Sequence, residues 1–402
     1  MANEQKRVGS EEPPRKLQRT RAKSYPRHTG GLGAARPDMR FSSLGLEMVP
    51  NFRDLAGVRA QQWQCEGGLL RRGVLFRCGQ LATATVGDLV KIRDELGIRT
   101  YLDLRNPSRP HEGVDAVAFA DDYYPPAPLK KCAQKLGARR RVSCDLEAGL
   151  SHLIGKLELT EPDAWTEEHL GHGTAEQTRK KAQLIKTAGE DFNRVADSGI
   201  QAEQLNMCKG SWLMLVLNHD VIKRALDVLA DPRYHPVAFG CTAGKDRTGL
   251  LAMLCLGAIG VSEGNIRADY MLTNQSSDHI TECALRNYLM VLEEAKAMDP
   301  DGFPAFVSHV MRTYPELYNL ALDLGVVAGT RIEAGCPAVK GTGDRRSAEA
   351  ASSQSMDGRV HTEVVDFILQ QLRSHFDGIP GYLDWIGFQG TAGLKEALVV
   401  AR

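Results

Sequence analysis

Cys241 and Arg247 stand six positions apart in Cys241-Thr242-Ala243-Gly244-Lys245-Asp246-Arg247-Thr248-Gly249. A thiol, a guanidinium and a small glycine-containing loop are the parts needed to attack a phosphate monoester through a covalent intermediate. A free thiol is mostly protonated at neutral pH, and nearby cations or a helix N-terminus favour the nucleophilic thiolate. Arg247 offers a planar fork to two phosphoryl oxygens and can balance charge as it develops. Ala243 and Gly244 leave room for backbone N–H groups, including those of Thr242 and Lys245, to close round an oxyanion. Thr248 can donate to the cysteine sulfur, or it can simply cap a helix. Asp246 sits among cations, so it serves as proton donor to a leaving alkoxide only if a bound phosphate dianion favours its protonated form. Its competing role is a salt bridge that stabilises the loop. Lys245 adds charge suited to multiply phosphorylated substrates.

The bare spacing decides nothing, because Cys65 and Arg71 satisfy it too in Cys-Glu-Gly-Gly-Leu-Leu-Arg. There Glu66 would repel a dianion, and the flanking residues suggest a short hairpin. The second match differs in its setting. Pro236 to Phe239 has the pattern of a short buried strand, and Gly249 to Leu256 that of an almost wholly apolar helix beginning just after the arginine. A strand–loop–helix unit aims loop N–H groups and the positive end of a helix dipole at one point, which is an anion site. Burial as an inert thiol fits Cys255, on the helix, better than Cys241. A nucleotide-binding loop would need glycine at 239 and Ser or Thr at 246, where the chain has Phe239 and Asp246.

The elements around this unit predict an α/β domain. Gly73 to Arg77 and Arg99 to Leu104 have strand patterns, and Thr85 to Leu96 an amphipathic helix closed by Gly97. From Thr174 onward helical periodicity dominates: 175–196, 212–230, 262–274, 280–297, 303–324, 362–376 and 378–386. The cysteine loop would therefore leave the carboxyl end of a late strand, the usual place for a site in an open sheet. Residues 1–44 form a basic tail expected to be disordered, and 326–359, rich in Gly, Ala, Ser and charge, a flexible insertion.

Composition excludes several classes. Formal net charge is zero over 402 residues, so no global pull toward nucleic acid is expected. No apolar run reaches the roughly 20 residues of a membrane span. Nine scattered cysteines without CxxC or Cys/His pairs suggest reduced thiols in an intracellular compartment and no zinc site. Lys16 to Lys23 adds a nuclear address as an alternative to the cytoplasm.

Several segments together resemble the atypical protein-tyrosine/dual-specificity phosphatases whose loop reads His-Cys-x-x-Gly-Lys-Asp-Arg-Thr-Gly. Asn51 to Gly57 is similar to that family's Asn-Phe-Arg-Asp-x-Gly-Gly, and Leu75 to Leu81 to its Leu-[Phe/Tyr]-Arg-Ser-Gly-x-Leu. Asp103-Leu104-Arg105, the stretch Gly260 to Asn274, and Gly381-Tyr382-Leu383 resemble further family segments. The resemblance covers residues 45–325 and 360–402. It implies a cysteine-phosphatase fold, a small central sheet flanked by many helices. It further implies a phosphocysteine intermediate with neither metal nor other cofactor, Cys241, Arg247 and Asp246 as catalytic residues, and Arg53, Asp54 and Asp103 as supporting ones. Substrates would be phosphotyrosine, phosphoserine/threonine or phosphoinositides, the last linked to Lys245. Two departures carry consequences. Gly240 stands where the family has the histidine that orders the loop and supports the thiolate. Ser108-Arg109-Pro110 stands where the family places a glutamate, so an ion pair bracing the loop is expected to be missing. The first departure keeps a second class open, a phosphate-binding pseudophosphatase that only docks a phosphorylated partner.

Overall fold

In the computed structural model the described residues are 45–58, 61–81, 84–105, 139–148, 170, 174–197, 200–298, 300–305, 307–308, 322 and 358–401. The expected tail, the expected helix over 303–324, nearly all of the expected insertion and the Ser108-Arg109-Pro110 departure lie largely or wholly outside them. In chain order the strands are β1 Arg53–Asp54, β2 Gly57–Val58, β3 Gln61–Gln62, β4 Gln64–Cys65, β5 Gly68–Leu70, β6 Leu75–Cys78, β7 Thr100–Asp103, β8 Arg140–Ser143, β9 Val237–Gly240 and β10 Val399–Ala401. The α-helices are α1 Val86–Val90, α2 Ala175–Asp197, α3 Ala202–Leu217, α4 His219–Ala230, α5 Asp246–Ala258, α6 Glu263–Met271, α7 Ser277–Met298, α8 Thr362–Phe376, α9 Ile379–Trp385 and α10 Thr391–Leu398.

A five-stranded mixed sheet in the order β1-β6-β9-β7-β8 forms the centre. Strands β6, β9, β7 and β8 run parallel, and β1 pairs antiparallel with β6 at the edge. Every residue of β6, β7 and β9 is buried, as parallel strands covered on both faces require. The expected α/β cysteine-phosphatase class is the one observed, with β9 in the middle of the sheet. Helix α5 leaves directly from the loop after β9. Apart from its first residue and Gly257 it is buried throughout, which explains its lack of a polar face.

Three boundaries differ from the sequence reading. Helix α5 begins at Asp246, not after Arg247, so both side chains sit in its first turn. Thr248 therefore lies inside the helix, and the N-cap position falls to Lys245, which makes no capping bond. The single helix expected over 212–230 is two helices, broken at Asn218 with non-helical φ −106° and ψ 28°. The first of them starts ten residues earlier than expected, at Ala202. There Gln201 and Gln204 form a reciprocal cap, and glutamine is a weak N-terminal signal in sequence. The Cys65–Arg71 stretch is the expected hairpin, with β4 and β5 antiparallel and β10 added alongside β5.

Candidate active site

Cys241 follows the last residue of β9, the central strand, and is 2 % exposed. The chain then loops through Thr242, Ala243, Gly244 and Lys245 into the N-terminus of α5. Two helical residues later Arg247 folds back over this loop, its Nη2 donating to Thr242 Oγ1 at 3.2 Å. Thiol, loop and guanidinium are thus brought together at one end of one strand. The end of β6 lines the loop from below: Gln80 N donates to Thr242 O at 3.0 Å. Cys65 and Arg71, the rival pair, lie in the β4–β5 hairpin, where Arg71 N donates to Leu398 O and burial raises the Cys65 thiol.

The loop's shape is set at Gly244. Its φ is +72°, in the left-handed region, and an added Cβ would meet backbone atoms of Cys78 and Gly79 at 2.5–2.6 Å. Only glycine fits that turn. The Gly244 carbonyl is also gripped twice, by Arg77 Nη2 at 2.9 Å and Asn51 Nδ2 at 2.7 Å. Asn51 itself is left-handed at φ 56°, a conformation asparagine tolerates. Two donors on this one carbonyl fix the orientation of the peptide that follows Gly244.

Behind this grip lies a buried charge cluster. Arg53 and Arg77 are direct partners across β1 and β6, a like-charge pairing that is unfavourable unless neutralised. Asp269 of α6 neutralises it, accepting from Arg77 Nη1 at 2.5 Å and Arg53 Nε at 3.2 Å. Arg53 also donates to the carbonyl of Asp269 at 2.7 Å and to Asn51 Oδ1. Burial and the facing Arg77 lower the Arg53 guanidinium to about 10, against the pull of Asp269. Burial would raise Asp269, but the two arginines outweigh it and hold its carboxyl below the usual range.

A second support runs through β7. Leu104 N donates to Gly240 O at 2.8 Å, the Asp103 carboxylate pairs with Arg105 at 2.7 Å, and Arg105 Nη1 reaches Gln80 Oε1 at 3.1 Å. Asp103 thus touches the loop through Arg105 and Gln80. Asp54 does not reach it. Its carboxylate accepts from Ala56 N and from Gly73 N, ahead of β6 and at the opposite end of that strand from Cys78, and burial raises its pKa.

Of the remaining predicted residues, Lys245 lies at the rim with Nζ donating to the carbonyl of Arg359 at 3.3 Å. Asp246 Oδ1 and Thr248 Oγ1 are buried, and each lacks a hydrogen-bond partner among the described residues. Sequence reasoning singled out neither Gln80 nor Glu147 as site residues. Glu147 Oε1 stands 3.5 Å from Arg247 Nε.

Gly240 has a steric explanation. A Cβ there would lie 2.7 Å from the carbonyl oxygens of Cys78 and Gly79 and 3.0 Å from Cys78 Sγ. Cys78 is fully buried, its Sγ donating to Phe239 O at 3.7 Å, and burial, then the neighbouring Cys241, push its thiol up. In this packing no side chain fits at 240.

A cysteine and an arginine close a loop between a central parallel strand and a buried helix in an α/β domain, the arrangement of groups that an anion site needs. The sequence model of the tyrosine phosphatase family matches residues 44–399, most of the chain, and the protein belongs to that family. A Cupriavidus necator protein named "Putative tyrosine-protein phosphatase" is 25 % identical over 246 residues, covering 60 % of this chain and 67 % of that one. The chain is accordingly a phosphoric monoester hydrolase of the protein-tyrosine-phosphatase type.

Proposed function

We propose that the chain hydrolyses phosphate monoesters through a phosphocysteine intermediate on Cys241, acting on phosphotyrosine and also on phosphoserine/threonine and phosphoinositides. The observation that carries the reading is the fold-back of Arg247 onto Thr242, over a loop that begins at Cys241 and ends at a helix N-terminus. In the first step the Cys241 thiolate attacks phosphorus and the ester P–O bond breaks. Asp246, whose Oδ1 has no hydrogen-bond partner among the described residues, gives its proton to the departing oxygen. Arg247 and the loop amides hold the equatorial oxygens throughout. In the second step Asp246 takes a proton from water, the hydroxide attacks phosphorus, and the S–P bond breaks. The Thr248 hydroxyl, without a hydrogen-bond partner among the described residues, then donates to the sulfur as it leaves. Lys245, at the rim, is suited to a further anionic group on the substrate.

The test is hydrolysis of an aryl phosphate in the presence of EDTA, with vanadate as inhibitor. Turnover should persist with the chelator, stop with vanadate, and vanish in Cys241→Ser while that variant still binds phosphopeptide. A wild-type protein that is inert, yet binds phosphopeptide in an Arg247-dependent way, would replace the enzyme by a docking module. Parallel assays on phosphopeptides and phosphoinositide vesicles read the substrate range.

A further inference from the structure

We infer that Glu147, in the turn after β8, is the positioning residue for Arg247. The inference rests on the phosphatase reading of the Cys241 loop.

A guanidinium on a flexible stem grips phosphate well only if its plane is fixed beforehand. Arg247 is held at two edges. Nη2 reaches inward to Thr242 Oγ1, and Nε faces outward to the Glu147 carboxylate. A contact at Nε constrains rotation about the bond that carries the fork, so the Nη groups face the loop. Both side chains are largely removed from water, 9 % exposed for Arg247 and 13 % for Glu147, so the pair is weakly screened.

Glu147 is itself anchored to the strands that carry the site. Its backbone N–H donates to Asp145 Oδ1 at 2.8 Å, closing a tight turn. The preceding Leu146 is buried, its N–H donating to Leu104 O at 3.4 Å, and Cys144 N donates to Asp103 O at 2.8 Å. Leu104 in turn donates to Gly240 O, beside Cys241. The carboxylate is therefore registered to the cysteine loop through backbone hydrogen bonds across β8, β7 and β9. A negative charge this close to an oxyanion site also weakens substrate attraction, a cost that makes sense only if it is offset by ordering the arginine.

The experiment is steady-state hydrolysis of an aryl phosphate by Glu147→Gln, Glu147→Ala and Glu147→Asp, with inorganic phosphate as competitive inhibitor. Glu147→Gln should lose about tenfold to a hundredfold in kcat/KM, the scale of misplacing a reacting group by about an ångström. Its inhibition constant for phosphate should rise as well, and Glu147→Asp should fall between Gln and wild type. In an Arg247→Lys background, Glu147→Gln should cost nothing further, because the group it positions is gone. Thermal melting of each variant separates folding from positioning. Wild-type kinetics in a folded Glu147→Gln, faster turnover, or a loss that adds fully to that of Arg247→Lys each overturn the assignment. Failure of the underlying reading shows up differently: the wild type itself would be inert, or Cys241→Ser would retain its turnover.

Discussion

Replacing Gly240 by the histidine of the loop motif it resembles should damage this protein rather than improve it. The perturbation is local: the new Cβ falls 2.7 Å from two carbonyl oxygens, of Cys78 and Gly79, where ordinary contact begins at 3.4 Å. The end of β6 must then retreat from β9 by about 0.7 Å, the difference between those distances. That retreat strains the Gln80 N–Thr242 O bond of 3.0 Å and the Arg77 grip on Gly244. Overpacking of this kind costs about 1–3 kcal/mol. Each hydrogen bond lost adds about 1 kcal/mol. At about 2.1 cal/mol/K of unfolding entropy per residue, a total near 3 kcal/mol corresponds to a drop of roughly 4–5 °C in Tm for a domain of about 320 residues. Because the clash begins at Cβ, Gly240→Ala should already show most of the drop, and adding Cys78→Ala should not restore it. Differential scanning fluorimetry together with aryl phosphate kinetics reads both effects. A Gly240→His variant with unchanged Tm and higher kcat/KM would refute the steric account and show that the missing histidine simply cost activity.

Two further outcomes follow from the charge balance. Asp269→Asn should leave Arg53 and Arg77 facing each other in the core, with a loss of about 3–5 kcal/mol in urea unfolding and a disordered loop; an unchanged midpoint would contradict the neutralising role. Stability should also fall with acidification in two stages. Burial lowers His219, His235 and His375 below 6.5, so the unfolded chain takes up their protons first and stability declines as pH drops below that value. Asp269, depressed by its arginines, contributes stability that is complete above about pH 4 and is lost only below it. A Tm that rises as the pH is lowered from 7 to 5 would contradict the histidine sign, and one that rises as the pH falls below about 4 would contradict the Asp269 sign.

How much was legible beforehand depended on range along the chain. The strand, loop and helix around Cys241 are contiguous, and local periodicity with a glycine at 244 encodes them. Their layout and the family could therefore be read directly, apart from a helix start three residues early. The Arg53, Arg77 and Asp269 segments were also visible as motifs, but not their purpose. That cluster depends on the register of β1 against β6 and on where α6 packs, and neither leaves a trace in residue spacing. Asp54 shows the same limit in reverse, since its motif position suggested the site while strand direction put it at the far end of β6.

The sequence by itself determined the family and the candidate site, because the thiol, the fork and the glycine turn lie in one contiguous strand–loop–helix unit that local periodicity encodes. Only the tertiary structure decided why Gly240 bears no side chain and which carboxylate stands against Arg247. Both answers are contacts between segments far apart in sequence, Cys78 against Gly240 and Glu147 against Arg247. Contacts of that kind are set by how strands pair and pack, and no local preference of either residue announces them.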